Sequence, residues 1–193
     1  MRKYLLLLSF GLTLFASLAA SAQDTEGTGI IYGKDHAYSL TAPRGWVLDN
    51  NSGVSQGLHA VFYPVGSSWA KGVAVMYTNV LVKGPTQNLD DTIKGDVDSF
   101  KATSPKLVVQ NGETIPVGAK KALVRYFSGD ANANFEAVGY IDEPKLVVIV
   151  VLTARTKKDY DAALPAFTDL IKSYVFISNN VVIQKPSKEL GSR

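Results

Sequence analysis

Residues 146–152 read Leu-Val-Val-Ile-Val-Val-Leu, and this run of seven apolar side chains decides the fold class. Five of the seven are β-branched and the turn Asp142-Glu143-Pro144 comes directly before them, so the run predicts a strand rather than a buried helix turn. A strand that is apolar on both sides belongs to a sheet that is covered on both faces. Residues 72–82 carry apolar side chains on both sides as well, which predicts a second strand of this kind.

The rest of the chain divides into strand-like and helix-like segments. Alternating patterns and flanking turns predict a strand-like start at Ile30 and further strands at residues 37–42, 46–48, 58–63, 107–110, 121–127 and 135–141. Residues 88–104 and 156–176 instead repeat apolar side chains at a helical period. The first stripe is Leu89, Ile93, Val97 and Phe100, and the second is Tyr160, Ala163, Leu164, Phe167, Ile171 and Tyr174. Pro165 is expected to kink or restart the second helix.

Hairpin-length links between the later strands indicate a mostly antiparallel sheet. Because both faces of its inner strands are apolar, each face needs a covering helix. The predicted fold class is therefore α+β, an antiparallel sheet flanked by helices on both faces (an α/β/α sandwich). Residues 30–178 are predicted to form this single domain, with a linker at 23–29 and a flexible C-terminal tail at 179–193.

The N-terminus has the three parts of a secretory signal. Arg2 and Lys3 precede a short apolar run, and Ala20-Ser21-Ala22 provides small residues at a cleavage site. We therefore expect residues 1–22 to be a signal peptide that is cleaved after Ala22, which places the mature protein in the periplasm or outside the cell. The alternative is an uncleaved membrane anchor, but polar residues interrupt the run and no stop-transfer flank follows it.

Charge and cysteine content exclude several classes of protein. The formal net charge is +3, and removing Arg2 and Lys3 with the signal lowers it to +1. No basic run remains that is typical of a nucleic-acid-binding protein. The chain has no cysteine, so it has no disulfide, no thiolate nucleophile, no Cys-ligated metal and no lipid anchor on cysteine. Its stability must come from its apolar core.

Two motifs carry a resemblance to a known family. The first is Tyr38-x-Leu40-x-Ala42-Pro43-x-Gly45-Trp46, and the second runs from Thr153-Ala154 through Leu164-Pro165-x-Phe167 to Ser173-Tyr174. Over residues 33–176 the chain resembles the PsbP-like superfamily, which includes DcrB-type bacterial envelope proteins. The resemblance implies a binding, assembly or chaperone-like role, and it carries over no catalytic residue set.

Residues for catalysis or metal binding are sparse. A Ser-His-acid site would need His36 or His59, and both are interpreted as solvated surface residues. Asp35, His36 and His59 lack the paired spacing of zinc ligands. The acidic residues of the first predicted helix are interpreted as a solvated face, with Asp90 paired to Lys94. We therefore expect no catalytic residues, no metal and no cofactor.

Trp69 is the residue that most favours a binding role. It lies in the predicted loop between Pro64 and Gly72, and loop aromatics are common in recognition surfaces. Tyr63 and Lys71 flank it, so Tyr63, Trp69 and Lys71 form the candidate partner-binding set. The alternative is that Trp69 folds back as a lid on the sheet edge. Trp46, which follows a Pro-x-Gly turn off a core strand, is expected to be buried.

The sequence therefore predicts an exported, non-enzymatic binding, assembly or chaperone-like module of the bacterial envelope. Its expected partner is another protein or an apolar small ligand and not nucleic acid, and no stable membrane anchor is expected after cleavage. Two alternatives stay open, a small secreted hydrolase with an unrecognised site and a structural component of the envelope.

Overall fold

A computed structural model describes residues 27–34 and 36–181. The predicted signal peptide, most of the predicted linker and the tail from residue 182 lie outside the described residues. Within the described part the chain forms ten β-strands, two α-helices and one short 3-10 turn, Val54–Gln56. In chain order the elements are β1 (Thr28–Gly33), β2 (His36–Thr41), β3 (Trp46–Asp49), β4 (Ala60–Pro64), β5 (Ala74–Val82), α1 (Leu89–Thr103), β6 (Val108–Val117), β7 (Lys120–Ser128), β8 (Phe135–Asp142), β9 (Leu146–Ala154), α2 (Lys157–Lys172) and β10 (Val175–Ser178).

The strands form two antiparallel sheets. The large sheet has seven strands in the order β3-β4-β5-β9-β8-β7-β6, and the small sheet has three in the order β1-β2-β10. The α+β class is confirmed, but the prediction of one sheet is wrong. The first two strands do not join the large sheet, because their partner is the last strand of the chain, with Val175 opposite Ser39.

The predicted second helix was too long, because the chain changes conformation after Lys172. The Ser173 hydroxyl accepts from the Thr41 amide at 2.9 Å and lies 3.2 Å from the Thr41 carbonyl, which fixes the chain beside β2. The residues that follow, Val175, Phe176 and Ile177, are β-branched or aromatic and continue as β10. Pro165 lies inside α2 without restarting it, on the exposed side of the helix.

The two faces of β9 enter two different apolar clusters. Leu146, Val148, Val150 and Leu152 belong to the larger cluster, to which α2 contributes residues that include Phe167 and Ile171. Val147, Ile149 and Val151 belong to the second cluster on the opposite face. Ile93 of α1 is buried in that second cluster, with Val97 and Phe100 packed against it. The run that decides the fold class is therefore buried on both sides, as predicted.

The turn before β3 explains how Trp46 reaches the larger cluster. Gly45 has a φ of +78°, and the Trp46 amide donates to the Pro43 carbonyl at 2.9 Å. A glycine with positive φ at the third position is typical of a type II turn. Trp46 is 8% exposed, so its predicted burial is confirmed. Among the described helices, none is long and apolar enough to span a membrane.

Candidate functional site

Trp69 lies on the same side of the large sheet as α1. The backbone turns tightly around it, with the Gly72 amide donating to the Ser68 carbonyl at 2.8 Å. Its ring is half-buried and meets the Tyr77 ring edge-on, with 6.2 Å between the ring centroids. Tyr77 packs against the second cluster, so Trp69 covers the edge of that cluster while keeping part of its ring in solvent.

Tyr63 and Lys71 are placed differently from Trp69. The Tyr63 hydroxyl donates to Asp49 Oδ2 at 3.0 Å, and that carboxylate also accepts from the Ser52 side chain and amide. Hydrogen bonds from Ser52 are the main cause that lowers the pKa of Asp49 to about 2. Lys71 is exposed. In the described part of the chain, no hydrogen bond or ring contact joins Tyr63, Trp69 and Lys71 to one another.

Tyr77, which contacts the Trp69 ring, also lines a cleft between α1 and the sheet. The cleft has a volume of about 420 Å³ and is lined by apolar side chains of β7, β8 and β9 and by polar side chains of α1. Three carboxylates line it: Asp96 from α1, Asp130 from the β7–β8 turn and Glu136 from β8. Phe100 and Phe127 line it as well, and their ring centroids are 5.6 Å apart.

Each carboxylate of the cleft is held by a hydrogen bond rather than by a cation. The Tyr140 hydroxyl donates to Asp96 Oδ2 at 2.6 Å, and the Asn134 amide donates to Asp130 Oδ1 at 2.6 Å. Glu136 is hydrogen-bonded to the Thr153 side chain. Among the described residues, none of the three carboxylates has a Lys or Arg within ion-pair distance. Arg125, opposite Val138 in β7, is near enough to act electrostatically on Tyr140, so the three carboxylates share one nearby cation and none of them has an ion pair.

This environment raises the pKa of Glu136 towards neutrality. Burial is the largest cause that raises its pKa from 4.5 to about 7, and the nearby charges of Asp130 and Asp96 raise it further. The hydrogen bond from Thr153 acts in the opposite direction. Burial also raises the pKa of Tyr77 and of Tyr140. A carboxyl group whose pKa is shifted towards neutrality inside a cleft is a marker of a functional site.

Glu136 and Asp96 are not among the site residues predicted from the sequence. Glu136 shares a strand face with Val138 and Tyr140, so an acidic residue at that position interrupts an apolar alternation, and this signal was available in the sequence. Asp96 was grouped with the solvated acids of α1. Lys94 pairs with Asp98 at 2.5 Å rather than with Asp90, and Asp91 caps the helix together with Asn88.

The two histidines line different cavities. His36 faces a cavity beside Lys83 and Leu146, whereas His59 faces one beside Ile30 and Tyr32. Within residues 27–34 and 36–181, no group of three or more His, Cys, Asp or Glu side chains is arranged to hold a metal ion.

Two solved structures share this arrangement of strands and helices. Cyanobacterial PsbP (CyanoP) from Synechocystis aligns with a TM-score of 0.52 and 10% identity, over 82% of this chain and 98% of its own. The chain has the PsbP fold. LpqN of Mycobacterium tuberculosis, described as involved in cell envelope biogenesis, aligns with a TM-score of 0.55 and 12% identity, over 78% of this chain and 90% of its own. Likeness at these identities shows a common PsbP-like fold and nothing about a common partner. No family model and no curated protein matches the sequence.

Proposed function

We propose that the chain is an exported, non-catalytic binding module of the bacterial envelope, and that it binds a cationic side chain of a protein partner in the cleft beside α1. The observation that carries this proposal is Glu136, an ionisable group kept where burial and two neighbouring carboxylates disfavour its charged form. A bound ammonium or guanidinium group would supply the missing positive charge.

The aromatic residues around the cleft support the same ligand. Phe100, Phe127 and Tyr77 line it, and aromatic faces attract cations. Trp69, half-exposed beside Tyr77, offers the partner an apolar anchor of the kind that dominates binding energy at interfaces. In this proposal Trp69 is the main contact of the set Tyr63, Trp69 and Lys71, since neither of the other two lines the cleft.

The ionisation of Glu136 gives the first test. Folding raises its pKa from 4.5 to about 7, so its contribution to stability is fully present below pH 4.5 and is lost as the pH rises through 7. We expect Glu136→Gln to be more stable than the parent at pH 8, with the difference closing by pH 5. Urea unfolding at both pH values measures this, with Asp98→Asn on the exposed face of α1 as the control.

Binding of a cation should also depend on the ionisation of Glu136. It should favour the charged form, whereas folding favours the neutral form. The charged form of Glu136 attracts a cation, so affinity for the peptide acetyl-Gly-Lys-Gly-amide is expected to rise by up to about tenfold between pH 6 and pH 8. Glu136→Gln should abolish the rise and Asp98→Asn should retain it, as followed by amide shifts in NMR titrations. Equal binding of acetyl-Gly-Gln-Gly-amide would overturn the proposed ligand class.

Export has its own test. We expect the mature chain to begin at Gln23 and to be released by osmotic shock or found in the medium, because the first 22 residues have the pattern of a cleaved signal. N-terminal sequencing of the released protein measures this directly. Recovery of the chain from the membrane fraction with residues 1–22 attached would contradict it.

One observation also favours a small hydrolase as a second candidate function. A carboxyl group with a pKa near 7 is suited to general acid–base catalysis, and Ser99 and Thr103 line the same cleft as Glu136. Ester or glycoside hydrolysis that is lost in Glu136→Gln, with peptide binding absent at every pH, would favour the hydrolase over the binding module.

A further inference from the structure

A second cavity lies at the other end of the long strands, next to the small sheet. Its volume is about 540 Å³, and it forms where the β1–β2 hairpin meets the end of β5 and the start of β9. Binding sites for small molecules are typically 300–1,000 Å³. None of the residues that line the cleft beside α1 lines this cavity, so the two sites are separate.

The cavity has an apolar wall that the fold leaves uncovered. Val80 and Leu146 line it and pack against the larger cluster, whereas Val82 is 79% exposed. Pro85 and Pro144 extend the apolar surface on either side. An exposed valine that continues a buried apolar wall is a surface on which an apolar ligand can be buried.

The rim of the same cavity is basic. Lys34, Lys83 and Lys145 line it, and no acidic residue is found among its described lining residues. The Lys83 side chain is 10% exposed and pairs with Asp142 at 2.7 Å, so its position is fixed. Lys34 and Lys145 are exposed and make no ion pair with any residue in the described ranges. The ammonium groups of Lys34 and Lys145 therefore flank an apolar wall, next to the ion pair of Lys83 with Asp142.

His36 gives the cavity a fixed polar side. A side-chain carbon at Gly33 would lie 2.4 Å from His36 Cε1, so the glycine is what allows the imidazole to lie against the opposite strand. The ring also stacks on Tyr38, with 5.8 Å between centroids. The imidazole is thereby held in the wall of the cavity on the side of Lys34.

We propose that this cavity binds an amphipathic organic anion, with a carboxylate or phosphate head held by Lys34 and Lys145 and an apolar body lying over Val80, Val82 and Leu146. The pairing of an uncovered apolar wall with a basic rim selects this class over neutral or cationic ligands. The proposal does not depend on the function of the cleft beside α1.

Calorimetric titration with octanoate and with octyl phosphate tests this site, with acetate, inorganic phosphate and octyl glucoside as matched probes. We expect at least one of the two amphipathic anions to bind, and to bind at least tenfold more tightly than its tail-free counterpart and than octyl glucoside. Lys34→Gln and Lys145→Gln should each weaken binding by about fivefold, as expected for a partly exposed ion pair. Lys101→Gln, on α1, should leave it unchanged.

Three results would overturn the proposal. They are binding of neither anion, equal binding of octyl glucoside, and equal binding of the tail-free anions, which would mean an adventitious ion only. Val82→Ser provides a second variant that leaves the charges intact, and it should weaken octanoate binding without changing the melting temperature, because the residue is exposed. Glu136→Gln should bind octanoate like the parent, so failure of one site is distinguishable from failure of the other.

Discussion

Trp46→Ala is expected to destabilise the domain by about 3–5 kcal/mol, because it removes a large buried ring and leaves a cavity. Trp46 is 8% exposed within the larger cluster, at the point where the type II turn delivers β3 to the sheet. The loss is a large part of a typical domain stability of about 5–15 kcal/mol. Urea unfolding followed by circular dichroism measures it.

Trp69→Ala is the matched control, since it removes the same side chain from a half-buried site. Contact with the Tyr77 ring raises its expected effect to about 1–2 kcal/mol, above that of an ordinary surface change. Equally large losses of unfolding free energy in Trp46→Ala and Trp69→Ala would contradict the assignment of Trp46 to the core and of Trp69 to the surface. Trp69 would then be a core residue.

Tyr38→Ala is expected to cost about 3–5 kcal/mol, because Tyr38 joins the two sheets. The side chain is 1% exposed, and its ring lies 5.5 Å from that of Tyr174. Its hydroxyl lies 2.9 Å from Thr78 Oγ1 in β5. Since the Thr78 hydroxyl donates to the Ile149 carbonyl at 2.9 Å, Tyr38 is the donor to Thr78. Burial is the main cause that raises the pKa of Tyr38 to about 12.

Tyr38→Phe separates the ring from the hydroxyl. It keeps the packing and removes one hydrogen bond, and Thr78 retains its bond to Ile149, so a loss of about 1 kcal/mol is expected. Urea melts of both variants decide the point. A loss in Tyr38→Phe as large as in Tyr38→Ala would show that the hydroxyl, and not the ring, holds the sheets together.

The elements that could be predicted from sequence are those whose signal is local. The unbroken apolar run of β9 and the stripe of α1 each specify their own burial, and α1 spans Leu89–Thr103 where residues 88–104 were expected. β6 was predicted only in part, as residues 107–110, because Asn111-Gly112-Glu113 reads as a turn. In the structure the register shifts there and the edge strand continues to Val117.

The small sheet and the cleft could not be predicted, because both depend on contacts between distant segments. β10 has four residues, and the predicted helical stripe runs on to Tyr174, beyond the end of α2 at Lys172, so the helical pattern hides the change to a strand. Tyr77, Asp96 and Glu136 meet only because β5 pairs with β9 and β9 with β8. Trp69 was recognisable as a loop aromatic, whereas its neighbour Tyr77 was not.

The small sheet can form completely only after β10 is available, because β10 pairs with β2. The hydrogen bond between Thr41 and Ser173 spans 132 residues, so the small sheet closes one of the longest loops in the domain. Contacts of such separation form slowly, since the entropy of closing the loop must be overcome first. A chain that emerges N-terminus first during synthesis has β1 and β2 without β10 until its last strand has followed. The small sheet is therefore expected to form only when the C-terminal strand is present, and removal of β10 should leave β2 without one of its two neighbours.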